Sequence, residues 1–91
     1  MKLPDKIQLY IGKRDIKEGR QGIMESCPVA LAINRKFNRA AWVTKRGIII
    51  GGLEDYTAYT MCDLGRKFIK SFDRSKSKVK PTKIILTKYE K

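Results

Sequence analysis

Two cysteines, nine carboxylates and no histidine are what this 91-residue chain offers for conventional catalysis. Without an imidazole, His-based triads and His-ligated metals are excluded. Glu54 and Asp55 form an acidic pair, but adjacent carboxylates on a turn read as solvated charges rather than as an acid–base or metal pair. Cys27 and Cys62 fall at the starts of two expected helices, where a thiol pKa is lowered. A small, half-buried side chain near a helix cap explains both more simply. The expectation is a protein that is not an enzyme, has no cofactor and keeps its two thiols free.

Chemistry directed at anions is better represented. The stretch "GRQGIMESCPVALAINRKF" (19–37) combines two glycines, a Ser-Cys-Pro step, a small apolar run and then bare positive charge. It reads either as the start of a buried helix or as a cradle for a phosphate, since a helix N-terminus presents unpaired N–H groups. The chain carries 21 Lys and Arg against 9 Asp and Glu, a net charge of +12. The excess is uneven. Residues 34–46 hold five bases and no acid, and residues 66–91 hold ten bases and two acids. Residues 47–65 hold three acids and no base. Such asymmetry points to an anionic partner.

The elements that must position these groups follow from pattern. A chain this short makes one small domain, 1–91. "KIQLYI" (6–11) alternates apolar and polar, as a half-buried strand does. A polar, glycine-punctuated loop follows, with a short turn around Ile16. Pro28 suits the first position of a helix, capped by Ser26 or Cys27. Val29, Ile33 and Phe37 form its buried stripe. Residues 41–52 read as a hairpin in which Gly47 supplies a positive φ. Residues 60–73 read as a second helix, with Thr60 and Asp63 at capping-box spacing and Met61, Leu64, Phe68 and Phe72 as the buried stripe. Gly65 within it marks a close contact. A basic linker leads to a last strand at 83–89.

That order, βαββαβ, implies an α+β domain of ferredoxin-like type, an antiparallel sheet with both helices on one face. The topology then gathers Arg14, Arg20, Ser26, Lys45, Arg46, Lys70 and Arg74 at one pole, with Lys76, Lys78 and Lys80 of the linker. Glu54, Asp55 and Asp63 fall at the other. The ligand-binding set is therefore Arg14, Arg20, Ser26, Lys45, Arg46, Lys70 and Arg74.

A ferredoxin-like order also raises the RNA-recognition motif. Its third strand needs stacking aromatics after a basic-Gly step, and "RGIIIGG" (46–52) has isoleucines there. Tyr10 and Trp42 either stack bases from the open face or pack at the sheet edge. No apolar run approaches a membrane span, and the first residues lack a secretion signal, so the expected setting is cytoplasmic, with no membrane partner.

At "SCPVALAINR" (26–35) and "GRKFIKSFDRSKSKVKPTKIIL" (65–86) the chain resembles small phage-type α+β proteins. These pair a Cys-Pro-x-Ala-Leu-Ala helix start with a later Phe-Ile-x-x-Phe-Asp helix end. The resemblance implies a viral accessory role in the host cytoplasm and brings no site residues. With the charge, it leads to a non-catalytic binder of a phosphate-bearing small molecule, a nucleotide-type signal withheld from host defence. Two alternatives stand beside it: nucleic acid bound through its backbone, and inhibition of an acidic host protein surface.

Overall fold

The computed structural model describes residues 3–44, 47–51 and 56–89. In chain order these form β1 (Lys6–Ile11), α1 (Lys13–Glu18), α2 (Pro28–Phe37), β2 (Ala41–Val43), β3 (Ile48–Gly51), β4 (Tyr56–Met61), α3 (Asp63–Arg74), a single 3-10 turn (Lys76–Lys78) and β5 (Thr82–Lys88). The five strands make one sheet in the order β1-β5-β4-β3-β2, with every neighbouring pair antiparallel. The class is α+β, as expected. The βαββαβ order is corrected by one strand and one helix, and with it the ferredoxin-like arrangement, because β5 enters the sheet between β1 and β4.

The additional strand is β4. Thr60 and Asp63 have capping-box spacing, yet Thr60 remains extended and pairs with Thr87. The helix begins later, at Asp63, with Cys62 as its N-cap. Met61 thus points into the core from a strand, and Leu64 is exposed. Phe68 and Phe72 are buried as expected, their rings stacked 6.5 Å apart. Gly65 does mark a close contact: a Cβ there would lie 2.7 Å from Met61 Cγ. Gly47 is required for a reason other than turn geometry. Its φ is not left-handed, but a Cβ would meet the Tyr59 carbonyl oxygen at 2.5 Å.

The additional helix is α1, six residues where only a turn around Ile16 is expected. Asp15 holds it. Its Oδ2 accepts the Gly12 N–H at 2.9 Å, and its carboxylate takes Arg35 Nη1 on both oxygens at 2.6 and 2.7 Å. Asp15 is the buried charge among the described residues, and a buried carboxylate is tolerated only when paired and hydrogen-bonded in this way.

The core lies on one side of the sheet. Alternation sends Ile7, Leu9 and Ile11, Ile48 and Ile50, Tyr59 and Met61, and Ile84 and Leu86 inward, against Val29, Ala32 and Ile33 of α2 and Phe68 and Phe72 of α3. Helix α2 touches both β1 and β2, the two outermost strands, so the sheet curls around it. The exposed edge of β1 is met by α2 side chains: Arg35 Nη2 donates to the Tyr10 carbonyl at 3.1 Å and Lys36 Nζ to the Gln8 carbonyl at 3.2 Å. Occupied carbonyls leave an edge strand less open to pairing.

Candidate anion-binding groove

The start of α2 settles one reading of residues 19–37. Cys27, Pro28, Val29 and Ala30 are all buried. The preceding loop folds over them, with Arg20 N–H donating to the Ser26 carbonyl at 2.8 Å and Gly19 close against the Pro28 ring. This is a buried helix start. Cys27 caps it through its backbone, with no side-chain cap bond. Burial pushes the Cys27 thiol up from its ordinary value, and the opposing pull of the Ala30 and Val29 N–H groups is smaller. The helix-start effect expected from sequence therefore loses to desolvation. Both cysteines are free thiols; Cys62 Sγ accepts the Ile85 N–H at 3.5 Å.

The cations separate into engaged and unengaged groups. Arg14 pairs with Glu18 on the surface of α1 at 3.2 Å. Lys76 donates to the Lys17 and Gly19 carbonyls, closing the end of α1, and lies 5.9 Å from the Phe72 ring centroid. Arg20 is exposed and Ser26 half-buried in the loop before α2. Lys45 and Arg46 lie outside the described residues, as do Glu54 and Asp55. Lys70 and Arg74 make no ion pair or hydrogen bond among the described residues. Together with Arg66 they line a groove of about 450 Å³, whose walls include Thr44 at the end of β2, Met61 and Ile69. Arg66 is only loosely held, 3.5 Å from Asp63.

The spacing of this set has a simple origin. Arg66, Lys70 and Arg74 recur every four residues, which keeps them on one side of α3 with about 6 Å of rise between neighbours. A second, smaller hollow of about 240 Å³ shares Thr44, Ile69 and Asp73 with the first and extends it toward Met24, Cys27 and Val43. Asp73, the acid of the groove among the described residues, is already occupied: its Oδ1 accepts the Gly22 N–H at 3.1 Å. Gln21 Nε2 donates to the Phe72 carbonyl at 2.7 Å, so the 19–26 loop is tied to the end of α3. The result is a cationic rim over a largely apolar wall. A groove of this size accepts a drug-sized or nucleotide-sized molecule, and Arg and Lys grip phosphate through charge-assisted hydrogen bonds.

Of the expected binding residues, the structure brings Lys70 and Arg74 together and puts Arg14 on α1, outside the groove lining. Arg66 was not in the expected set; the four-residue spacing from Lys70 and Arg74 is the signal that finds it. Among the described residues, no group of His, Cys, Asp and Glu is arranged to hold a metal and no helix is long and apolar enough to cross a membrane. Comparison with protein-family models, with curated proteins and with solved structures gives no match.

Proposed function

We propose that this protein binds a phosphate-bearing small molecule of nucleotide type in the groove beside α3 and holds it without chemical change. The observation that carries this reading is the rim of Arg66, Lys70 and Arg74 over an apolar wall. The cations would take the phosphates, and Met61 and Ile69 would receive the less polar part of the ligand. Lys70 and Arg74 need not break bonds elsewhere to do so. In a phage-type setting, binding without turnover lowers the free concentration of a signal, which is how such a protein would blunt a host response.

Isothermal titration calorimetry with a panel of mono-, di- and triphosphate nucleotides and cyclic dinucleotides tests it. At least one member should bind, and the double variant Lys70→Ala, Arg74→Ala should bind it at least tenfold more weakly. The recovered nucleotide should be chromatographically intact. A small ligand engages few phosphates, so affinity should fall only gently with salt, unlike backbone binding to a duplex. A panel without a binder, or a folded double variant that binds like the parent, removes the groove as the site.

A further inference from the structure

We propose that the uncovered face of the sheet is a second binding surface, for single-stranded nucleic acid, with bases stacking on Trp42, Tyr56 and Tyr89. This goes beyond the groove and does not depend on it. Both larger helices lie against the other face, so among the described residues no layer covers this face of the sheet. Alternation along the strands places side chains there that are not those of a solvated surface. Tyr56 is 73% exposed, Tyr89 57% and Tyr10 53%. Trp42, the single tryptophan, is 37% exposed.

The register arranges them. Trp42 faces Ile49, Ile49 faces Ala58, and Tyr89 N–H donates to the Ala58 carbonyl at 2.9 Å. These four residues therefore make a row across β2, β3, β4 and the end of β5, about 14 Å wide at the usual strand spacing. Tyr56 faces Gly51, and a Cβ on Gly51 would lie 3.4 Å from Trp42 Cζ3. The indole edge and the Tyr56 phenol thus flank a glycine, with small Ala58 beyond it. Gly51 and Ala58 are the small neighbours of these rings, Ile49 stands between Trp42 and Ala58 as a further apolar contact, and Tyr56 and Tyr89 are more than half exposed, as a stacking platform requires. Toward the other edge Tyr10 faces Lys83, and Gln8 faces Ile85.

Charge decides among occupants. The ionisable residues that alternation puts on this face, among those described, are Lys6 and Lys83, with no acid. A second copy of the chain would set these lysines against their own counterparts, because a two-fold interface uses the same patch on both partners, and would bring two +12 molecules together. A single strand supplies both complements: bases for the rings and phosphates for the lysines. Stacking of this kind is tolerant of sequence.

The test uses the full chain, a 12-residue oligothymidylate, an abasic strand of equal length and charge, and the blunt duplex of the same length. Saturating oligothymidylate should quench the Trp42 emission. By anisotropy of labelled strands, the abasic strand and the duplex should bind about tenfold more weakly. Tyr56→Ala, at a largely exposed position, should fold as the parent does by circular dichroism and lose about tenfold in affinity, while Trp42→Phe should retain most of it. Lys70→Ala with Arg74→Ala, which empties the groove of its free cations, should leave the quench intact. Equal affinity for the abasic strand, an unquenched tryptophan at saturation, or an unaffected Tyr56→Ala variant overturns the proposal. So does a sedimenting dimer that Tyr56→Ala dissociates.

Discussion

Helices α2 and α3 both carry basic residues toward their ends, and they use them differently. In α2, Arg35 is bound to buried Asp15 and to the Tyr10 carbonyl, and Lys36 to the Gln8 carbonyl. These cations hold α1, α2 and the edge of β1 together. In α3, Lys70 and Arg74 bind nothing among the described residues, and the helix presents them along a groove. The sequence shows the two helices as equally basic. Their partners divide them into a structural clamp and a pair of cations left unengaged among the described residues. Counting charge along a chain finds both; only the location of the carboxylates and free carbonyls tells them apart.

The sharpest way to break this contrast is Arg35→Ala. It leaves the Asp15 carboxylate buried without its cation and should cost about 2 kcal/mol of unfolding free energy, below the range for a fully buried pair because the Arg35 side chain is half exposed. Urea denaturation read by circular dichroism measures it. A loss below about 1 kcal/mol would mean that the Asp15 contacts from Gly12 suffice, and the clamp reading would fail.

A smaller effect comes from the start of α2. Burial raises the Cys27 thiol above the ordinary value of 9.0, so the unfolded chain releases that proton first as pH rises. Below pH 9 both states are protonated and no stability is lost. Above it, the unfolded state gains and the fold weakens until the folded thiol also ionises. The Tyr59 phenol, raised chiefly by burial from 10.0, adds to the loss at higher pH. Parent protein should therefore lose stability as pH rises from 9 to 10, and Cys27→Ala should lose less over that interval. Identical slopes for the two proteins would show that Cys27 ionises as freely folded as unfolded.

The smallest expected change is in α3. Lys70→Ala and Arg74→Ala together should alter unfolding free energy by no more than a few tenths of a kcal/mol, because exposed charges contribute little to stability. Thermal melts of the double variant beside Arg35→Ala put the contrast in one experiment. A comparable destabilisation in both would make the α3 cations structural too.

Much of the fold was legible where a residue's neighbours along the chain decide its state. β1 reads from Ile7, Leu9 and Ile11, and α2 from Pro28 followed by Val29 and Ile33. The misread segment is 56–62. "YTAYTM" has the β-branched and aromatic content of a strand, but its inward positions are Thr57, Tyr59 and Met61 rather than aliphatic residues. Thr60 offered a local helix cap that lost to pairing with β5, a partner 27 residues away. α1 escaped notice for a similar reason: Asp15 gains its cation from Arg35, twenty residues on. For the candidate site, the expected set rested on a ferredoxin-like pole that the sheet order removes; of that set Lys70 and Arg74 line the groove. The engagement of Lys76 and the uncovered aromatic row were not legible, because both are settled by contacts between distant segments. Searching one strand for stacking aromatics could not find rings contributed singly by β2 and β4 and from just beyond β5.

The insertion of β5 between β1 and β4 also has a consequence for the order of events during synthesis. As the chain leaves the ribosome, β2, β3 and β4 can pair at once, since each lies beside its successor. β1 precedes the other strands, yet its one sheet partner is β5, and Lys6 meets Thr87, 81 residues further along the chain. Until β5 is made, Ile7, Leu9 and Ile11 have no strand to pair with. A released chain truncated before residue 82 would hold a three-stranded meander and an orphaned apolar segment, the kind of species on which chaperones act.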